Sequence, residues 1–227
     1  LSASGINQLD TLHRILKLKV PDMLTLYTWN TPNGLKPAIL LEELGLAYDI
    51  ALINIGKGDQ HQPDFLKISP NNKIPALVDG DIKLFESGAI LMHLAEKHGQ
   101  FLPVSGSARA DTLAWTFWQV GGLGPIFGQW GHFYNQQETH AYALERYLVE
   151  SIRLLEVLDK QLEENSYVAG DDYTIADMMI FPWIKGGYRF LQNAPQERLP
   201  KLAATRTWMA KVAERPAVKA AIARLKG

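Results

Sequence analysis

The stretch Lys73-Ile74-Pro75-Ala76-Leu77-Val78-Asp79-Gly80-Asp81-Ile82-Lys83-Leu84-Phe85-Glu86-Ser87 decides the fold. Two short apolar runs, 74–78 and 82–84, read as strands, and Asp79-Gly80-Asp81 between them supplies a glycine free to take the positive φ of a tight hairpin. Pro75 has no N–H to give a ladder, which puts it at a strand start, an edge or a bend. Its bond to Ile74 is open to the cis form, although trans is the commoner state. At the far end Ser87 is a natural N-cap for a helix over 87–97, with Ile90, Leu91, Leu94 and Ala95 on its core face and a stop near Gly99.

Working back from the hairpin, 63–68 reads as a short helical turn and 48–54 alternates as a strand. The run 36–44 has helical period with Ala38, Leu41 and Leu44 among its apolar positions, and Gly45 stands at its C′ stop. Asn30-Thr31-Pro32-Asn33-Gly34 is a turn signal after a first strand over 24–29. The order over residues 23–102 is therefore β-α-β-α-β-β-α. Working forward, the Gly-, Pro- and Ser-containing segment 99–107 reads as a linker. Beyond it 108–120, 140–164, 175–187 and 202–214 carry helical period. Thr174-Ile175-Ala176-Asp177 is an N-cap box in which Asp replaces the usual Glu. The expectation is an α/β domain over 23–102 followed by an all-helical domain over 108–227. Residues 1–22 read as an N-terminal extension, a frayed arm in preference to the alternative of one packed on a partner subunit.

Composition removes several function classes. Lys and Arg number 23 against 24 Asp and Glu, so no global basic field exists to attract nucleic acid or an anionic membrane. No apolar run approaches the ~20 residues needed to span a bilayer. The chain has no cysteine, so no protein thiol can serve as nucleophile, resolving group or metal ligand. Its six histidines form no His-Glu-x-x-His pair, and neither a Walker loop, a dinucleotide loop nor a Gly-x-Ser-x-Gly elbow is present. Metal, nucleotide and serine-hydrolase chemistry are unsupported. The N-terminus lacks the basic-then-apolar layout of a signal peptide, and the cytoplasm is the expected compartment.

Two segments carry candidate chemistry. Thr31-Pro32-Asn33-Gly34 falls where a strand gives way to a helix, leaving unpaired N–H groups and the positive end of the helix dipole toward an approaching anion. A thiol of ordinary pKa ~8.5 placed there ionises more readily, and Thr31 and Asn33 can donate to it. The bland alternative is a plain turn and cap. Glu86 offers a counter-charge to an amino group and Ser87 a donor to a carboxylate. Their bland alternative is a capping pair with nothing bound.

Together these segments closely resemble the glutathione transferase superfamily over 23–224. Asn30-Thr31-Pro32-Asn33-Gly34, Ile68-Ser69-Pro70-Asn71-Asn72-Lys73-Ile74-Pro75-Ala76-Leu77, Phe85-Glu86-Ser87-Gly88-Ala89-Ile90-Leu91 and Phe117-Trp118-Gln119-Val120-Gly121-Gly122-Leu123-Gly124-Pro125 resemble its nu class, bacterial relatives of a yeast prion-forming nitrogen regulator. The resemblance implies a thioredoxin-like first domain, a helical second domain and a homodimer. It implies a glutathione-dependent disulfide reductase in which glutathione, as cosubstrate, is the redox sulfur. Thr31 and Asn33 would stabilise the thiolate, Glu86 and Ser87 would hold the γ-glutamyl end, and Ile74, preceding Pro75, would pair with the cysteinyl backbone. Lys73 with Gln60 would hold the glycyl carboxylate, and Arg146 would reach a second glutathione, within the subunit or across the dimer. Arg146 can equally be a helix charge paired with Glu150 at i+4. Asn30 stands where serine-type classes place a Ser, which argues against strong conjugation of aryl halides. The alternatives are a general transferase or peroxidase and a non-catalytic glutathione-binding regulator. The aromatic cluster Trp115, Phe117, Trp118, Phe127, Trp130 and Phe133 is read as core or interface.

Overall fold

The computed structural model describes residues 24–191 and 194–226, at 188–191 for the backbone alone. The expected N-terminal extension, 1–22, lies outside the described residues. The first strand, β1 (Leu24–Thr28), alternates buried Leu24, Leu26 and Thr28 with half-exposed neighbours, the period-2 signature of a strand packed on one face. It is followed by α1 (Pro32–Glu43), β2 (Tyr48–Leu52), the short turn α2 (Pro63–Leu66), and the hairpin β3 (Ala76–Asp79) and β4 (Ile82–Phe85). The sheet order is β2-β1-β3-β4, with β1 parallel to β2 and antiparallel to β3. Leu77 lies opposite Leu84 in the hairpin register. This is the thioredoxin-like arrangement expected, with α3 (Ser87–His98) returning after the hairpin.

The rest is helical: α4 (Gly106–Trp118), a π-helical turn at Gln119–Leu123, α5 (Gly124–Tyr134), α6 (Ala141–Glu164), α7 (Ile175–Leu191), α8 (Ala203–Ala213) and α9 (Pro216–Arg224). Helix α5 carries no clear sequence signal because Gly124, Pro125, Gly128 and Gly131 suggest breaks, but Pro125 sits in the first turn, where its missing N–H costs nothing. Helix α1 begins at Pro32, earlier than its apolar period suggests, because Thr31 caps it and Pro32 fits the first position. It packs against α3, α7 and α9, so the loop before it sits at the junction of sheet and helical bundle. Arg215 and Arg224 fasten α9 to α1 through Glu43 and Glu42.

The start of α7 shows the expected box. Thr174 Oγ1 accepts from the Ala176 N–H (3.3 Å), while Asp177 Oδ2 accepts from the Thr174 N–H (3.0 Å). Asp177 Oδ1 also accepts from the Val168 N–H (3.0 Å) and Trp208 Nε1 (2.8 Å). Burial pushes this carboxyl up to about 6 against the pull of those donors. Of the aromatic cluster, Phe127 and Trp130 are buried in the core, while Phe117 is 60% exposed.

Candidate functional site

The start of α1 is built for a negative group. Thr31 has extended backbone and its Oγ1 accepts from the Gly34 N–H at 3.1 Å. No acidic residue stands in the first turn, so the positive end of the helix keeps no internal counter-charge. A Cβ on Gly34 would collide with the Trp29 carbonyl oxygen and Thr28 Oγ1, so glycine lets the helix start tight against the end of β1. Asn33 Oδ1 accepts from Trp183 Nε1 of α7 at 2.8 Å. With its carbonyl oxygen engaged, the Asn33 amide has its NH2 left to donate. Thr31, Asn33 and Trp183 line a cavity of about 630 Å³ together with Gln60, Lys73, Ile74, His132 and Gln136.

The hairpin supplies the second wall. The Ile74–Pro75 peptide is cis, and Asn72 just before Lys73 takes φ 49°. Gln60, at the 3₁₀ turn before α2, has a buried Oε1 with no hydrogen-bond partner among the described residues, and its Nε2 lies 3.3 Å from His61 Nε2. A smaller cleft of about 160 Å³, lined by Asn33, Lys73, Ile74, Pro75, Phe85, Glu86 and Ser87, adjoins this wall through shared residues. Glu86 holds φ 71°, ψ 116°, a conformation side chains rarely adopt, and it precedes α3 without making a side-chain cap.

The structure corrects the reading of Ser87 as an N-cap: it is the first residue of α3 and is buried, with its Oγ accepting from Lys36 Nζ at 3.3 Å. Lys36 is the residue the sequence reading missed. It is 2% exposed, and its Nζ also donates to Gln119 Oε1 of the π-helical turn at 2.6 Å. Burial brings this ammonium down to about 7, opposed by the charge of Glu86. Lys36, Glu86, Ser87, Gln119 and Trp183 line a third cleft of about 480 Å³, which also shares Asn33 and Lys73. A lysine in an otherwise apolar helix face, 35–41, was the available signal. Its partners lie 51 and 83 residues away, beyond the reach of local pattern.

Thr31, Asn33, Gln60, Lys73, Ile74, Pro75, Glu86 and Ser87 are thus brought to one junction, and Arg146 is not. Arg146 lies on α6 in a separate depression of about 660 Å³ with Tyr142, Glu145, Tyr147, Val149 and Glu150. The i+4 pairing with Glu150 is not formed as a hydrogen bond. Arg153 takes that carboxylate through two contacts of 2.8 and 2.7 Å. Among the described residues no group of three His, Asp or Glu could hold a metal, and no helix is long and apolar enough to cross a membrane.

Comparison with known proteins places this geometry in a family. Residues 22–96 match the N-terminal domain model of glutathione S-transferases and 127–216 the C-terminal one. The disulfide-bond oxidoreductase YfcG of Escherichia coli is 46% identical over 88% of this chain and 94% of its own length. The disulfide-bond oxidoreductase YghU of the same organism is 45% identical over 86% of this chain and 73% of its own. A glutathione transferase family member from Pseudomonas fluorescens, solved with two glutathiones bound, superposes with a TM-score of 0.84 at 40% identity, covering 93% of this chain and 97% of that one. A Pseudomonas putida glutathione transferase with one glutathione disulfide bound per subunit gives 0.84 at 38% identity, covering 95% and 98%. The chain belongs to the glutathione S-transferase family.

Proposed function

We propose that this transferase-family chain reduces disulfides with bound glutathione as the redox sulfur. The observation that carries the reading is the start of α1: a helix N-terminus with no internal acid, flanked by Thr31 and an Asn33 whose NH2 is left to donate, opening on a cavity in a chain without cysteine. Disulfide-bond oxidoreductases among the relatives, and structural neighbours holding two glutathiones or a glutathione disulfide, support it.

In the proposed reaction, Thr31 and Asn33 hold the glutathione sulfur as thiolate. It attacks one sulfur of a disulfide, the S–S bond breaks, and the departing thiolate takes up a proton. A second glutathione thiolate attacks the glutathione-side sulfur of the mixed disulfide, releasing glutathione disulfide and the second substrate thiol. Two glutathiones are oxidised and one disulfide is reduced. Glu86 and Ser87 hold the γ-glutamyl end, Ile74 beside Pro75 the cysteinyl backbone, and Lys73 with Gln60 the glycyl carboxylate. Arg146, remote within one chain, serves a second glutathione only through a partner subunit, so the reading includes a homodimer of nu-class type working in the cytoplasm. Steady-state reduction of a small mixed disulfide by glutathione, run beside aryl-halide conjugation, tests the reading. Strong reduction with weak conjugation is expected. Conjugation or peroxide turnover without disulfide reduction would replace it with a general transferase or peroxidase, and binding without turnover with a regulatory site.

A further inference from the structure

Lys36 is a charge buried between the two parts of the fold. Among the described residues no carboxylate hydrogen-bonds to it and no ion pair neutralises it, since its two acceptors, Ser87 Oγ and Gln119 Oε1, are neutral. An ammonium taken from water into such a place is costly unless something compensates it. The surroundings are built to keep it there: a Cβ on Gly124 would lie 2.7 Å from Gln119 Nε2, so glycine at 124 makes room for the glutamine that holds Lys36. Because Ser87 Oγ accepts from Lys36, its own proton is directed elsewhere, and Ser87 lines both of the clefts that contain Glu86.

We propose that Lys36 is a positioning residue for the anionic γ-glutamyl end of the ligand: its ammonium aims the Ser87 hydroxyl at the α-carboxylate and finds in that carboxylate a closer counter-charge than Glu86, which faces the same cleft without hydrogen-bonding to it. The proposal rests on the glutathione reading above and adds a residue and a proton to it. Glu86 at the start of α3 and Lys73 before the hairpin are the charged groups lining the same cleft. The π-helical turn, α5 and α7 contribute the uncharged Gln119, Gln129 and Trp183. Burial holds the free ammonium at about 7, and a carboxylate brought beside it raises that value. Ligand binding and protonation of Lys36 are therefore coupled. Affinity is full below pH 7 and declines as pH rises above it, and the protein takes up a proton as the ligand binds.

The test uses S-methylglutathione, which has no thiol to titrate. Calorimetric binding to the wild-type chain and to Lys36→Met and Lys36→Gln, between pH 6 and 8 in buffers of different ionisation heat, reads affinity and proton uptake together. Wild-type affinity is expected to fall about fivefold from pH 7 to pH 8 with net proton uptake. Lys36→Met is expected to bind about tenfold more weakly at pH 6 with a flat profile. Lys36→Gln, which keeps donors without the charge, is expected to recover part of the affinity but none of the slope. Wild-type binding without proton uptake and with a flat profile overturns the proposal, and does so even if neither variant folds. Equal affinity in folded variants does the same. Failure of the wild type to bind either S-methylglutathione or glutathione at any of these pH values would instead overturn the glutathione reading, and this inference with it.

Discussion

Two helix starts in this molecule begin with a threonine and end in opposite uses. At α7 the orphan donors and their neighbours are filled from within: Asp177 takes the Thr174 and Val168 N–H groups and the Trp208 indole, and all of them are buried. At α1 the cap is made by Thr31 alone, the first turn has no acid, and the indole of Trp183 goes to Asn33, whose NH2 is left for something outside the chain. The difference is between a helix start closed for stability and one left open for an anion. The two buried charges follow the same division. Asp177 is met by several donors, while Lys36 hydrogen-bonds to two neutral acceptors and, among the described residues, to no carboxylate.

If that division is right, the largest effect comes from breaking the closed start. Asp177→Ala strands several buried donors and should cost about 3–5 kcal/mol of stability, read by chemical denaturation, with turnover per folded molecule unchanged. Asn33→Ala should do the reverse. Disulfide reduction should fall about 100-fold in kcat/KM, the usual effect of removing one donor to a reacting anion, with stability changed by about 1 kcal/mol. Lys36→Met sharpens the contrast in the ligand-free protein. The lysine is held at about 7 in the fold and stands at 10.5 when unfolded, so the unfolded chain binds the extra proton between those values. Wild-type stability should therefore rise as pH climbs from 7 to 10. Lys36→Met should be about 2 kcal/mol more stable at pH 6, an advantage that shrinks as pH climbs above 7 and is lost before pH 10. The smallest effect is Trp183→Phe, which frees the Asn33 carbonyl to compete for the outward position and should lower kcat/KM about tenfold, with KM changed less than kcat.

The closed start was legible in the sequence because it is local: Thr174 and Asp177 are three residues apart and the box needs nothing else. So was the hairpin, whose turn glycine and flanking apolar runs sit within one stretch. Helix α5 was not, because Gly and Pro signal breaks only when judged without the packing that overrides them; Gly187, whose Cβ would collide with the Phe127 ring, shows how closely α5 and α7 approach. Thr31 and Asn33 at the open start, and Glu86 and Ser87 at the start of α3, were singled out by their resemblance to a family and by helix-end chemistry. The groups that orient them were not. Trp183 reaches Asn33 across 150 residues and Gln119 reaches Lys36 across 83. Ser87 was misread because a serine before a helix is ordinarily a cap, and a lysine from another element has taken its oxygen instead. Arg146 stood in the expected helix but on a different face of the molecule, a placement that no single-chain pattern encodes.

In the proposed reaction everything depends on the open start of α1 holding glutathione as a thiolate. Titrating the ultraviolet absorbance of the bound thiolate in the wild-type chain and in Asn33→Ala tests it most directly. The bound thiol should ionise at least about one pH unit below the ~8.5 of a free thiol, and Asn33→Ala should return it toward that value. A bound thiol that titrates like the free one, in a wild-type chain that still reduces disulfides, would contradict it.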